Sequence, residues 1–183
     1  MYDRIEAFFK NNNLTAGKCL VVGDTLRGGK GNPSLFNMLP KGCDLENPDY
    51  PGVDIQCMPY GDNTFDFVLS DQVLEHVEKP WVAAEEIYRV LKPSGIAVIT
   101  TCLINEIHGV PNDYFRFTPD GLKVLFNNFS KIHQVDGHGD LNFVIKCLKG
   151  KRGQQILPGS PEEIEALVYD KKFMLGVWII AEK

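Results

Sequence analysis

The stretch from Val53 to Thr101 constrains this chain most, because short apolar runs alternate there with an amphipathic one. Phe65 to Ser70 and Ile96 to Thr101 are rich in strand formers, and the segment between them carries a helical pattern. DQVLEHV predicts a short helical turn. Pro80 then suits a first helical position, where its missing N–H has no partner to lose. Trp81, Ala84, Ile87, Tyr88 and Leu91 recur at helical spacing as a buried stripe, with Glu85 and Arg89 as an i,i+4 pair on the outer face. Lys92-Pro93-Ser94-Gly95 reads as a turn into the next strand. Strand, helix, strand is a β-α-β unit, and short strands alternating with helices imply a mostly parallel sheet.

The flanks extend the same pattern. Tyr2 to Lys10 predicts a helix with Ile5, Phe8 and Phe9 on one face. Cys19 to Asp24 is a strand closed by Gly23, and the glycine-dense TLRGGKGNP after it is irregular. Ser34 to Leu39 allows barely two helical turns. A brief strand ends at Asp44, and another, Val53 to Cys57, is stopped by Met58-Pro59. Ile104 to Phe117 is a loop of aromatic and polar groups. Thr118 caps a helix through Phe129 with Leu122, Leu125, Phe126 and Phe129 on its apolar side. Ser130 to Val135 and Met174 to Ala181 are late strands, the second apolar nearly throughout, as in a strand covered on both faces. A chain of 183 residues without repeats or a composition break predicts one domain, 1–183, with one core.

Charge and cysteine usage exclude several roles. A net charge of −5 opposes broad nucleic-acid binding, which needs a cationic face. Lys146, Lys149, Lys151 and Arg152 crowd one stretch that reads as a solvated loop. The cysteines, Cys19, Cys43, Cys57, Cys102 and Cys147, are odd in number and hold no C-x-x-C pair, so no zinc ribbon or redox motif is on offer. Free thiols in apolar strands fit a reducing compartment. The polar start MYDRIEAFFKNNN does not suit a secretion signal, and no apolar run reaches the ~20 residues of a membrane span. A cytoplasmic protein without membrane contact is the expectation.

A glycine loop after a first parallel strand is where such sheets hold a nucleotide-like ligand, and Gly23 to Gly31 stands there. It is not the dinucleotide fingerprint, since no G-x-G-x-x-G opens a helix. It also misses the phosphate loop, because Gly29 lies where the lysine is needed. Acidic residues near strands add specificity. Asp44 is placed to accept from ribose hydroxyls, and Asp54 from an adenine amino group while Ile55 lines the ring.

Several segments together resemble the class I S-adenosylmethionine-dependent methyltransferases of the type 11 methyltransferase domain family. GCDLENP resembles the turn after their second strand. VDIQCMPYGDNTFDFVLSDQVLEHV is similar to their D-x-x-x-L-P-F-x-D-x-S-F-D block, and EEIYRVLKPSGIAVIT to their E-x-x-R-V-L-K-P-G-G segment. HGVPNDYFRFTPDGL resembles the H-x-x-P-x-D-Y-x-R-F-T segment of a subgroup associated with sugar and cell-surface glycan biosynthesis. The resemblance implies an α/β, Rossmann-like, seven-stranded, mostly parallel sheet with helices on both faces and the last strand antiparallel. It implies S-adenosyl-L-methionine as cofactor, held by Gly23, Asp24, Thr25, Asp44, Leu45, Asp54, Ile55, Gln56, Ser70 and Asp71. The acceptor implied is a small molecule, a sugar or glycan precursor taken at oxygen. His108 is the expected base, with Asp113, Tyr114 and Arg116 beside it and His76 as the other candidate. With no substantial inserted lid, the acceptor site is open or completed by a second subunit in a homodimer. The first loop departs from the family: Leu20-Val21-Val22-Gly23-Asp24-Thr25 lacks the acidic residue and second glycine of L-E-V-G-C-G. That departure leaves a scaffold that binds without turnover as the rival reading.

Overall fold

Alternation with period two sorts the strand side chains onto two faces. In β1 (Lys18–Val22), Leu20 and Val22 enter one hydrophobic cluster, and Cys19 and Val21 the other. The same division separates Val68 from Phe67 and Leu69 in β3 (Phe65–Asp71). It separates Ala97 and Ile99 from Ile96 and Val98 in β4 (Leu91–Cys102), and Val177 and Ile179 from Trp178 and Ile180 in β6 (Gly176–Glu182). Apolar residues on both faces require cover on both. On one side it comes from α1 (Tyr2–Asn11) through Ile5, Phe8 and Phe9. On the other it comes from α2 (Pro80–Val90) and α3 (Pro119–Leu125) through Ala84, Ile87, Val90 and Leu122. Each large side chain so buried contributes about 1.5–3 kcal/mol.

The computed structural model describes residues 1–23, 35–48, 51–109, 112–151 and 170–183. Among these the sheet has six strands, adding β2 (Asp44–Glu46) and β5 (Lys131–His138), in the order β2-β1-β3-β4-β6-β5. β6 runs antiparallel to both β4 and β5, and the other neighbouring pairs are parallel. This is the Rossmann-like α/β sheet expected, with the last strand antiparallel and helices on both faces. A short α4 (Leu141–Lys146) continues into a wider turn, Cys147–Lys151.

The expected seventh strand, Val53 to Cys57, is instead a tight turn. Cys57 N donates to Asp54 O at 3.0 Å, and Gln56 N to Asp54 Oδ1 at 2.8 Å, so the backbone bonds to itself instead of to a ladder. The following segment is committed to α2. Met58 N donates to Glu86 Oε2 at 2.9 Å, while Arg89 reaches Tyr60 O at 2.7 Å, Met58 O at 3.1 Å and Asp62 Oδ1 at 2.9 Å. Arg89 also grips both oxygens of Glu86, at 2.7 and 2.8 Å. The expected Glu85–Arg89 pair is therefore replaced by Glu86–Arg89, whose spacing of three lets a planar fork meet both carboxylate oxygens.

Other boundaries move for similar reasons. Ala84, Ile87 and Leu91 of the expected stripe are buried and Tyr88 packs against the core, but Trp81 is 51% exposed, and Pro80, Ala83 and Val90 complete the buried face of α2. Asp44 opens β2 where it was expected to close it: its backbone N–H donates to Gly17 O at 3.0 Å, just before β1 begins. Thr118 caps α3 by accepting from Gly121 N at 3.0 Å, and the helix ends at Leu125, before the expected Phe129. Lys146, Lys149 and Lys151 stand on helical turns where a loop was expected; Arg152 lies outside the described residues.

Candidate functional site

Parallel β1, β3 and β4 all run toward one edge, and chemistry gathers there. Gly23 leaves β1 at φ +96°, and a Cβ on it would lie 2.6 Å from Val73 Cγ2 and 2.8 Å from Asp71 O. Only glycine lets the chain pass this close to the end of β3. Asp71, the last residue of β3, accepts from Tyr2 Oη through both oxygens, at 3.2 and 3.0 Å, and from Thr100 Oγ1. Burial raises the Asp71 pKa; hydrogen bonds from Thr100 and Tyr2 oppose that shift, and the neighbouring Glu75 charge adds to it. Burial and then the Asp71 charge push the Tyr2 hydroxyl well above the usual phenol range.

Past Asp71 the chain turns sharply, with Gln72 at φ +54° and a short helical turn at Leu74–His76. Glu75 is fully buried, and its Oε2 accepts from Thr101 Oγ1 at 2.7 Å. Its carbonyl accepts from Tyr114 N at 2.7 Å and Phe115 N at 3.2 Å, which docks the loop after β4 onto this turn. Asp113, its side chain 3% exposed, then braces the loop. It receives both terminal nitrogens of Arg116 and, at 2.8 Å, the backbone N–H of His108. Arg116 also donates to Glu106 O at 2.9 Å and Phe115 O at 2.8 Å. The Arg116 hydrogen bond holds the Asp113 carboxyl far below the usual range against the opposing effect of burial. His108 Nδ1 lies 3.3 Å from Asp113 Oδ2, and the His108 and His76 rings meet edge to face at 4.9 Å. Burial, with the Glu75 charge, lifts the Cys102 thiol to about 11, so it stays neutral here.

His76, His108, Asp113, Tyr114 and Arg116 thus come together, with Arg116 bound into the loop and Tyr114 45% exposed and accepting from Asn112 Nδ2 at 2.8 Å. Gly23, Ser70 and Asp71 line the same sheet edge. Ser70 is buried, its hydroxyl without a hydrogen-bond partner among the described residues. The remaining expected ligand residues sit elsewhere. Asp44 pairs in register with Lys18, at the opposite end of β1 and about 16 Å back along the chain from Gly23. Leu45 lies mid-strand beside Cys19. Asp54 is exposed and bonded to Gln56, Ile55 is buried in the core, and Gln56 Oε1 accepts from Lys79 N at 3.0 Å at the start of α2. Asp24 and Thr25, with the rest of the glycine loop, lie outside the described residues.

Sequence reasoning missed Tyr2, Glu75, Thr100 and Thr101. Glu75 stood inside the LEHV block and was legible. Tyr2 carried no signal, because only folding brings the first helix to β3.

Residues 40–99 match the methyltransferase domain family. An uncharacterized methyltransferase of Mycobacteroides abscessus is 44% identical over 43 residues, 24% of this chain and 17% of its own length. One from Mycobacterium tuberculosis is 42% identical over 43 residues. The chain thus spans about a sixth of the length of the curated relatives it matches. Solved structures of the same fold include an S-adenosylmethionine-dependent methyltransferase from Mesorhizobium loti, covering 100% of both chains at TM-score 0.56 and 11% identity. The cyclase SpnF covers 99% of this chain and 80% of its own at TM-score 0.57 and 20% identity. A phosphoethanolamine N-methyltransferase from Haemonchus contortus, in complex with S-adenosyl-L-methionine, covers 99% and 52% at TM-score 0.57 and 15% identity. The fold is that of the Rossmann-like methyltransferases, with a methyltransferase-domain match over residues 40–99, about a third of the chain.

Proposed function

We propose that this chain is an S-adenosylmethionine-dependent methyltransferase acting on a small-molecule acceptor. One observation carries the reading: the domain match over residues 40–99 contains β3 and most of β4, at whose far edge Gly23, Asp71, His76 and the His108–Asp113 pair gather. The local chemistry supports a nucleoside-sized ligand there. Gly23 lets the end of β1 lie against the Asp71 turn, and Ser70 offers a buried hydroxyl with no protein partner among the described residues. Gly23, Ser70 and Asp71 would hold the cofactor, joined by Asp24 and Thr25 of the glycine loop. Asp44, at the far end of β1, and Asp54, bonded to Gln56 within its own turn, stand apart from this edge.

S-adenosyl-L-methionine would supply an activated methyl group on a positively charged sulfur. The chain's task is then to position the acceptor, exclude water and remove a proton. His108 does the last: Asp113 faces its Nδ1, leaving Nε2 free to accept an acceptor hydroxyl's proton. Arg116 holds Asp113 in place for that role. Transfer to oxygen of a sugar or glycan precursor is the finer form of the proposal, with a homodimer completing an otherwise open acceptor site. Isothermal titration with S-adenosylmethionine and its demethylated product tests the donor site; no heat with either overturns the reading.

The rival, a scaffold that binds without transferring, has one specific support. Val21, at the position where the family carries an acid, is fully buried among apolar groups and offers the cofactor nothing. Donor binding without release of the demethylated product, across an acceptor panel, is its signature.

A further inference from the structure

We propose that Glu75, His76 and His108 form a binding site for a divalent transition-metal cation, zinc being the one whose preferences this donor set matches. One ligand atom from each lies within 4.8 Å of the other two. Two imidazoles and one carboxylate favour zinc and its neighbours over magnesium or calcium, and three protein donors leave a fourth position open for water or an oxygen ligand.

The groups behind these donors carry the inference further than proximity does. A ligating histidine donates its other ring N–H to an oxygen, which fixes the tautomer and the ring. His76 Nδ1 meets Asn112 O at 2.5 Å, and a carbonyl can only accept, so Nε2 keeps the lone pair. His108 Nδ1 faces Glu106 O at 3.1 Å and Asp113 Oδ2 at 3.3 Å, which assigns its free lone pair to Nε2 as well. Asn105 Nδ2 also lies 3.1 Å from this Nδ1, so two oxygens and one amide nitrogen surround it. Glu75 is fully buried; Thr101 Oγ1 donates to its Oε2 at 2.7 Å, and the Gln72 amide in its hydrogen-bonding orientation lies 3.3 Å from its Oε1. A buried carboxylate is costly unless compensated, and a cation supplies that compensation directly. The backbone bonds from Tyr114 and Phe115 to Glu75 O tie the two donor-bearing segments together before any ion binds. Donor atoms around tetrahedral zinc are about 3.3 Å apart, so the half-buried imidazoles close inward by roughly 1 Å on binding.

The cation site stands independently of methyl transfer. One consequence rests on that reading: a bound cation takes the His108 lone pair, so the metal-free chain is the transferring form.

Cobalt(II) is the probe. The full chain, stripped with a chelator and titrated, is expected to bind one cobalt per chain with the intense visible absorption of four- or five-coordinate nitrogen and oxygen ligation, and zinc is expected to displace it. His76→Gln and His108→Gln are each expected to weaken binding at least tenfold. His133→Gln is expected to leave it unchanged, since His133 pairs with Glu182 on the far strands. Circular dichroism confirms that each variant folds, and His108, on a partly exposed loop, decides the matter if His76→Gln does not fold. Cobalt binding equally tight in the parent and His108→Gln, or only the pale octahedral spectrum, overturns the site. Donor titration on the same samples separates the two proposals: donor heat without cobalt binding removes the metal site alone, and cobalt binding without donor heat removes the methyltransferase reading alone.

Discussion

Replacing Gly23 with alanine adds one methyl group at a backbone φ of +96°, directly against the turn that follows β3. Two costs arise. Placing an L-residue in the left-handed region costs about 1–2 kcal/mol. The added carbon would also meet Val73 Cγ2 at 2.6 Å and Asp71 O at 2.8 Å. A methyl on Val73 can rotate away, but the Asp71 carbonyl is held by the strand, so the backbone must shift at about 1–3 kcal/mol. The sum is about 2–5 kcal/mol. Gly42→Ala isolates the first cost: its φ is +89°, but the nearest atom, Ala16 Cβ, is 3.8 Å away. That variant is expected to lose only about 1–2 kcal/mol. Urea unfolding at unchanged m measures both. Equal losses in the two variants, within about 0.5 kcal/mol, would refute the contact argument and with it the close approach of β1 to the Asp71 turn. Because that shift moves the Asp71–Val73 turn, Gly23→Ala is also expected to weaken donor binding while Gly42→Ala does not.

Burial, with the chain's amino terminus, depresses the His138 imidazole to about 4 from its ordinary 6.5. The neutral ring is the folded form, so this stabilisation is complete above pH 6.5 and is lost as pH falls from 6.5 toward 4. The difference of 2.5 corresponds to about 3 kcal/mol. His138→Gln is expected to flatten that part of the stability–pH curve, and parallel curves for parent and variant would contradict the burial. Asp113→Asn removes the anion that holds Arg116 and the His108 backbone. The expected local loss is about 2–4 kcal/mol, read as faster amide exchange across residues 104–117 with the sheet still protected. Unchanged exchange there would mean that the loop is held by its carbonyl contacts alone. Phe126→Ala empties a fully buried ring site beside Phe129 and is expected to cost about 3–5 kcal/mol by urea unfolding, with a loss under 1 kcal/mol contradicting the packing.

Periodicity and turn chemistry made the fold class legible. Apolar runs at Cys19, Phe65, Ile96 and Met174 and the stripe Ile5, Phe8, Phe9 are local patterns, and each became a strand or helix with the expected face buried. The family segments made the sheet edge legible, because they bundle β3, the Leu74–His76 turn and the loop after β4 into one contiguous text. What local pattern could not reveal is competition for hydrogen bonds. Val53 to Cys57 has strand composition, yet Asp54 takes the N–H groups of Gln56 and Cys57, and Glu86 and Arg89 tie the next residue, Met58, to α2. Trp81 likewise follows helical spacing but faces outward, since Pro80, Ala83 and Ala84 let α2 lie closer to the sheet.

Residues that meet only through the fold were decided by tertiary structure alone. Tyr2 and Asp71 are 69 positions apart, and the contact of their side chains depends on how α1 crosses the sheet. Asp44 belongs to a readable motif, but its position on β2 follows from pairing with Lys18, so its distance from Gly23 is a property of register. The chain alone determined which kinds of element form and which end of the sheet carries polar groups, because backbone propensity and side-chain alternation act over a few residues. Which carboxylates and imidazoles share that end was settled by strand register and helix crossing, which depend on long-range packing that no local stretch encodes.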